Sequence, residues 1–203
     1  ITRFKEIKKT DDSQKSHLEE FRGKITVTRS GRKINLYANS GSLADIDLIK
    51  ASDAEGIGLF RSEYIFMQAH DYPTEDYQLD IYKNVLEQME GKKVIIRTLD
   101  IGADKTAEYF MLKPEDNPAM GVRAIRLCLQ NKAIFKTQLR ALYRASVYGN
   151  LSIMVPLITS VEEVLETKKI IQEVKTELKQ QNLAFNDNVE FGIMIETPAA
   201  ALI

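Results

Sequence analysis

The chain is nearly without cysteine: Cys128 stands alone, so no disulfide can form within the chain and no cysteine metal cluster exists. A single thiol suits a reducing compartment. Excess charge is missing too. Against 29 Asp and Glu stand 28 Lys and Arg, and the formal net charge of -1 gives no general pull towards nucleic acid or an acidic membrane. No apolar run approaches the ~20 residues that span a bilayer. The charged opening, Ile1 to Asp12, lacks an apolar core of signal-peptide length. No Gly-x-Gly-x-x-Gly or Walker-type loop is present, which weakens a nucleotide-binding reading. The expectation is a cytoplasmic protein with neither nucleic acid nor membrane among its partners.

What remains is ordinary globular material, 44% hydrophobic and 28% charged, long enough for one domain with a real core. Residues 1–23 are polar, with Phe4, Ile7, Leu18 and Phe21 at sparse helical spacings, and predict a solvated helical linker. After Gly23 the pattern changes. Lys24 to Thr28 and Lys33 to Ala38 have strand character around a Ser30-Gly31 turn. Strand-like runs then alternate with helical ones. Strands are expected at Ile34–Ala38, Gly56–Phe60, Val94–Arg97, Ser152–Leu157 and Val189–Ile195. Helices are expected from Leu43 to Ala54 and from Thr74 to Glu90, with Thr74 as N-cap and Gly91 as stop. Two more, joined near Asn131, are expected between Met120 and Tyr148, and another opens at the Ser160–Glu163 capping box. Such alternation implies parallel strands with right-handed crossovers. Five βα units suit either an open doubly wound sheet or part of an eight-stranded barrel. The chain opens on Ile1 rather than methionine and stops at Ile203 inside an apolar stretch, so a shortened chain is expected.

Polar residues follow the apolar runs in a telling way. Arg61-Ser62-Glu63 follows the second strand, Arg97-Thr98-Leu99-Asp100 the third, and Glu196 the fifth. Parallel α/β folds place ligands at the carboxyl ends of strands, so two arginines and a carboxylate would converge there. The arginine fork matches phosphate or carboxylate oxygens. A nearby carboxylate can hold Mg²⁺, which takes one or two carboxylates plus substrate oxygens and waters. This set fits a small phosphorylated acid. The plainer alternative is a pair of rim salt bridges, Arg61 with Glu63 and Arg97 with Asp100.

At these residues a family resemblance becomes specific. Gly56-Ile57-Gly58-Leu59-Phe60-Arg61-Ser62-Glu63-Tyr64-Ile65-Phe66-Met67 resembles a segment of phosphoenolpyruvate-protein phosphotransferases, Enzyme I of the bacterial sugar phosphotransferase system, with Ser62, Tyr64 and Ile65 as departures. Arg97-Thr98-Leu99-Asp100-Ile101-Gly102-Ala103-Asp104-Lys105 is similar to a second motif, Ala103 replacing a glycine. Asn117 to Arg126, Ile153 to Ile158 and Gly192 to Ala200 resemble three more. The resemblance runs from about Ala38 onwards and favours part of a TIM-type (β/α)₈ barrel over 24–203, about five of eight βα units, preceded by the linker.

The resemblance implies that Arg61 and Arg97 bind the phosphoryl group of phosphoenolpyruvate, that Arg123 is a weaker substrate contact, and that Glu196 is one of two Mg²⁺ ligands. Asp100 and Asn117 would orient these groups. It implies transfer of the phosphoryl group to an enzyme histidine and then to the phosphocarrier protein HPr, and a homodimer. No catalytic residue is expected within this chain: the phosphohistidine, the second metal carboxylate and the proton-donor cysteine of the family have no counterpart in it. His17 and His70 lack a phosphohistidine context, and Cys128, on one helical face with Ile125 and Leu129, reads as a core thiol. Met67, Met120, Met154 and Met194 read as packing. Pyruvate phosphate dikinase and phosphoenolpyruvate synthase share the barrel and are the alternative families. A non-catalytic dimerisation or regulatory fragment is the alternative of another class.

Overall fold

A computed structural model describes residues 2–102 and 108–203, so the Ala103–Lys105 end of the second motif lies outside the described residues. Helix α1 (Thr2–Glu19) is exposed along its length, and Phe4, Ile7 and Leu18 stay in solvent. Its end is tied down where the Gly23 N–H donates to Asp53 Oδ2 at 2.8 Å. The expected hairpin after Gly23 is reduced to one antiparallel bridge, Val27 to Lys33, with Gly31 at φ 83° in its turn. The reason is visible in its side chains. Ile25 and Val27 are both exposed, so no apolar face holds a longer ladder together.

The centre is a parallel sheet in the order β1 (Ala38–Ser40), β2 (Gly56–Arg61), β3 (Lys93–Arg97), β4 (Leu151–Val155) and β5 (Glu190–Ile193). Each strand pairs only with its chain neighbours. A doubly wound sheet reverses its strand order part-way; this one does not, and the fold is that of a partial α/β barrel. Between the strands lie α2 (Ile46–Ala51), then α3 (Glu63–Met67) with α4 (Glu75–Gln88), then α5 (Ala124–Gln130) with α6 (Lys132–Ala145), then α7 (Val161–Gln180); α8 (Pro198–Leu202) follows β5. No helix among the described residues is long and apolar enough to cross a membrane.

Local chemistry sets the helix ends. Thr74 caps α4, accepting the Tyr77 N–H at 3.3 Å, and Gly91 follows it at φ 82°. Ser160 and Glu163 form the expected capping box on α7. Helix α5 starts at Ala124 rather than near Met120, because the Ala124 N–H is held by the Ile101 carbonyl at 3.1 Å and the preceding segment runs as loop.

Alternation along the strands separates two faces. Ile57, Phe60, Val94, Ile96, Ile153 and Val155 are buried against the helices, where Tyr82, Phe135, Leu139 and Leu142 complete the core. On the other face lie Lys93, Ser152 and Glu190. Lys93 Nζ reaches Glu190 Oε2 at 2.5 Å and Ser152 Oγ donates to it at 2.9 Å. Lys93 first and Ser152 second hold the Glu190 carboxyl below its usual range.

Strand β1 begins at Ala38, later than the expected Ile34. Leu36 is diverted: its N–H donates to Glu55 Oε2 at 2.6 Å and its carbonyl accepts the Glu55 N–H at 3.0 Å. Tyr37 then lies against Gly56 and Gly58. A Cβ on Gly56 would stand 2.4 Å from the Lys93 carbonyl oxygen and 3.1 Å from the Tyr37 ring. Gly56→Ala is therefore expected to lower stability by about 1–3 kcal/mol through overpacking. Gly192→Ala, where an added Cβ meets nothing within 4 Å, is its control. Thermal melts of the two variants check this, and equal melting temperatures would refute the close approach.

Candidate functional site

The register brings the predicted residues together. Arg61 on β2 pairs with Arg97 on β3, Arg97 with Met154 on β4, and Met154 with Gly192 on β5. The two arginines thus stand side by side at the carboxyl end of the sheet, with Glu196 just past the end of β5. They are not alike. Arg61 is exposed, and no carboxylate pairs with it among the described residues. Arg97 is 7% exposed and deeply engaged.

Arg97 Nη2 donates to Glu63 Oε1 and lies 3.1 Å from Asp100 Oδ2. Asp100 Oδ1 in turn accepts from Arg123 Nη2 at 2.9 Å and Nε at 3.2 Å. An alternating row results, Glu63–Arg97–Asp100–Arg123, drawn from β3, α3 and the loops after β3. The plainer alternative paired Glu63 with Arg61; Glu63 pairs instead with Arg97. The cause is burial: Glu63 is 5% exposed at the start of α3, and an unpaired carboxylate there would be costly. Nor is Arg97 a rim residue. Its Nη1 meets the thioether of Met194 at 3.8 Å, a weak acceptor that a phosphate oxygen would outmatch. Arg97 Nε, Glu63 Oε2 and Thr98 Oγ1 are buried with no hydrogen-bond partner among the described residues.

Glu196 is exposed, and its Oε1 accepts the Leu157 N–H at 2.7 Å. Leu157, just past β4, adopts a left-handed conformation at φ 58°. Thr197 donates to the Ile158 carbonyl at 2.6 Å and accepts the Ala200 N–H at 3.1 Å, capping α8. The loops after β4 and β5 are thereby locked together, and one oxygen of Glu196 has no protein partner among the described residues.

Residues 15–203 match the family described as PEP-utilising enzyme, PEP-binding domain. The chain belongs to this family. It is 46% identical over 203 residues, all of this chain, to the phosphoenolpyruvate-protein phosphotransferase of Geobacillus stearothermophilus, covering 35% of that protein. It is 47% identical over 191 residues, 94% of this chain, to the protein of that name from Bacillus subtilis (strain 168), covering 34% of it. With its Haemophilus influenzae counterpart the identity is 41% over 202 residues, all of this chain and 35% of that protein. The chain spans about a third of the length of these curated relatives.

In this PEP-binding domain the other polar and titratable groups have separate settings. Asp45, after β1, is consumed by its own turn, taking the Gly41 and Ser42 N–H groups at 2.8 and 2.9 Å; the Gly41 bond in particular holds it below the usual carboxylate range. Asp45 is thus not spare for a metal. Among the described residues no group of three or more His, Cys, Asp or Glu could hold a metal ion. Glu196 is an exposed carboxylate at this end of the sheet with one oxygen unpartnered among the described residues, and Mg²⁺ takes as few as one or two carboxylates, the rest of its shell being water and substrate.

The loop that carries Arg123 is pinned by aromatic contacts. Tyr72 meets Tyr109 and Phe110 edge-on at 5.0 and 5.1 Å, and the Tyr109 hydroxyl, pushed up to about 12 by burial, donates to the Phe66 carbonyl at 2.5 Å. Asn117 is exposed on this loop, and its main-chain carbonyl accepts the Met120 N–H at 3.0 Å. Cys128 is buried, and burial pushes its thiol up to about 12, so it is an inert core group. Of the methionines expected to pack, Met67 and Met120 are exposed instead, Met67 because it is the last residue of α3 and Met120 because it lies in the loop before α5. His17 lies on exposed α1, and His70 is exposed in the loop between α3 and α4. A cavity of about 720 Å³ lies among Phe21, Lys24, Asp53 and Lys92, at the opposite end of the strands from the arginines.

The two arginines should respond differently to truncation. Arg97→Ala strands the buried Glu63 carboxylate and is expected to destabilise the fold by about 3–5 kcal/mol. Arg61→Ala, at an exposed and unpaired position, should change stability by less than ~0.5 kcal/mol. Denaturant unfolding of both variants tests the contrast, which equal losses would refute.

Proposed function

We propose that the chain binds phosphoenolpyruvate at the carboxyl ends of β2, β3 and β5, as part of an Enzyme I that passes the phosphoryl group to a histidine and then to HPr. The observation that carries this reading is Arg61, an unpaired guanidinium set in register beside Arg97. Arg61 supplies the free positive charge. Arg97, its far side neutralised by Glu63 and Asp100, offers its Nη1 face; Arg123 is the weaker contact, held by Asp100. Fixed donors of this kind need no reorganisation as charge shifts during transfer, and phosphoryl transfer depends mainly on positioning and electrostatic stabilisation. Glu196 holds Mg²⁺ through its unpartnered oxygen. When bound, the ion neutralises charge on the substrate oxygens. Neither His17 nor His70 lies within this group of residues, so the acceptor histidine is sought elsewhere in the enzyme. The chain alone is expected to transfer no phosphoryl group to HPr.

Calorimetric titration of the chain with phosphoenolpyruvate and Mg²⁺ tests the assignment. Arg61→Ala should weaken binding roughly 10–100-fold, the worth of one charge-assisted contact. Arg61→Lys should recover only part of that, since a point charge does not reproduce the fork. Glu196→Gln should abolish the Mg²⁺ dependence of binding while leaving the metal-free affinity unchanged. An Arg61→Ala affinity equal to that of the unmodified chain would reduce Arg61 to a surface charge. An unaltered Mg²⁺ response in Glu196→Gln would remove the metal assignment alone.

A further inference from the structure

Gln138 lies on α6 at 1% exposure, among the fully buried Phe135, Leu139 and Leu142. Its side-chain amide reaches three separate segments. Oε1 accepts the Leu99 N–H at 2.9 Å, while Nε2 donates to Ser62 Oγ and to the Tyr82 hydroxyl, each at 3.0 Å. Ser62 Oγ donates onward to the Arg97 carbonyl at 2.7 Å, and the Tyr82 hydroxyl to Gln78 Oε1 at 3.2 Å. Gln78 Nε2 then donates to the Pro73 carbonyl at 2.9 Å.

The direction of every bond in this network follows from one main-chain group. The Leu99 N–H can only donate, so the amide oxygen of Gln138 must face it, and the amide nitrogen must face Ser62 and Tyr82. Both hydroxyls then have to accept from Gln138 and donate away from it. Burial raises the Tyr82 hydroxyl above its ordinary value, which keeps it a donor. Ser62 follows Arg61 directly, and Leu99 comes two residues after Arg97. One amide therefore grips the ends of both strands that carry the arginines, and through Ser62 it fixes the Arg97 peptide itself.

We infer that Gln138 is a positioning residue for the phosphate seat, setting the spacing of Arg61 and Arg97 without touching substrate. The inference rests on the phosphoenolpyruvate reading above. Reacting and binding groups lose much of their effect when displaced by about 1 Å, and a site holds its geometry only where a supporting shell locks it. An apolar side chain of similar length at position 138 would fill the core but release both strand ends.

The test is calorimetric binding of phosphoenolpyruvate, with Mg²⁺ present, to the unmodified chain and to Gln138→Met, Ser62→Ala, Ser62→Thr, Arg61→Ala and the Gln138→Met/Arg61→Ala double variant. Thermal melts accompany each. Gln138→Met and Ser62→Ala are expected to weaken binding roughly 10-fold, whereas Ser62→Thr, which keeps the hydroxyl, binds normally. The double variant should show less than the product of the two single effects, because Gln138 acts through the placement of Arg61. Should Gln138→Met fail to fold, the Ser62 pair decides. A lowered melting temperature with unchanged affinity in Gln138→Met and Ser62→Ala would make Gln138 a core residue and nothing more. Full multiplicativity in the cycle would equally overturn the inference. Normal binding by Arg61→Ala, or no binding by the unmodified chain, would instead sink the reading of the site on which it rests.

Discussion

The buried contact of Arg97 with Glu63 and Asp100 is the constraint around which the carboxyl end of the sheet is arranged. Taking such charges out of water is unfavourable by several kcal/mol per ion, and their attraction offsets this only with good geometry and further hydrogen bonds. Such a cluster is poor as a stabiliser. It does specify a geometry: β3, α3 and the loop carrying Asp100 must meet in one arrangement or leave a charge stranded. The same cluster settles where positive charge remains. Among the described residues Glu63 and Asp100 are taken up by Arg97 and Arg123, and Arg61, at the end of β2, has no carboxylate partner.

The sheet supports this arrangement through the contrast between its faces. Apolar residues on the helix side give β2, β3 and β4 a close-packed backing, which fixes their relative height. On the inner face, Lys93, Ser152 and Glu190 form a polar tie across β3, β4 and β5 at the amino end, opposite the arginines. Helix α6 is joined to its neighbours by further ion pairs, Arg140 to Glu75 at 2.5 Å and Lys136 to Glu173 at 2.9 Å. These are partly exposed and contribute little individually, but they hold in place the helix that carries Gln138.

Much of this was legible in the sequence. Apolar runs located four of the five strands closely, and arginine or glutamate ended three of them, since burial against helices demands such runs and ligand sites demand polar termini. The capping residues Thr74 and Ser160 were readable because their chemistry is local. Partnerships across the sheet were not. Glu63 is two residues from Arg61, and sequence distance suggested the wrong ion pair; the choice was made by β2–β3 register and burial. Strand β1 was displaced because Glu55, remote in sequence, captures Leu36. Gln138 did leave a trace, as a polar residue within the apolar face of Phe135, Leu139 and Leu142. Its meaning depended on which three segments it would meet.

The left-handed peptide at Leu157 carries a further consequence. A non-glycine residue in that conformation is strained by about 1–2 kcal/mol, and here its N–H is oriented onto a carboxylate from the neighbouring strand end. The hydrogen bond to Glu196 offsets part of that strain. Whatever competes for the Glu196 carboxylate also loosens its hold on this amide. The Leu157 proton is therefore an internal gauge of that carboxylate, and its solvent exchange rate reports how firmly the two strand ends are latched.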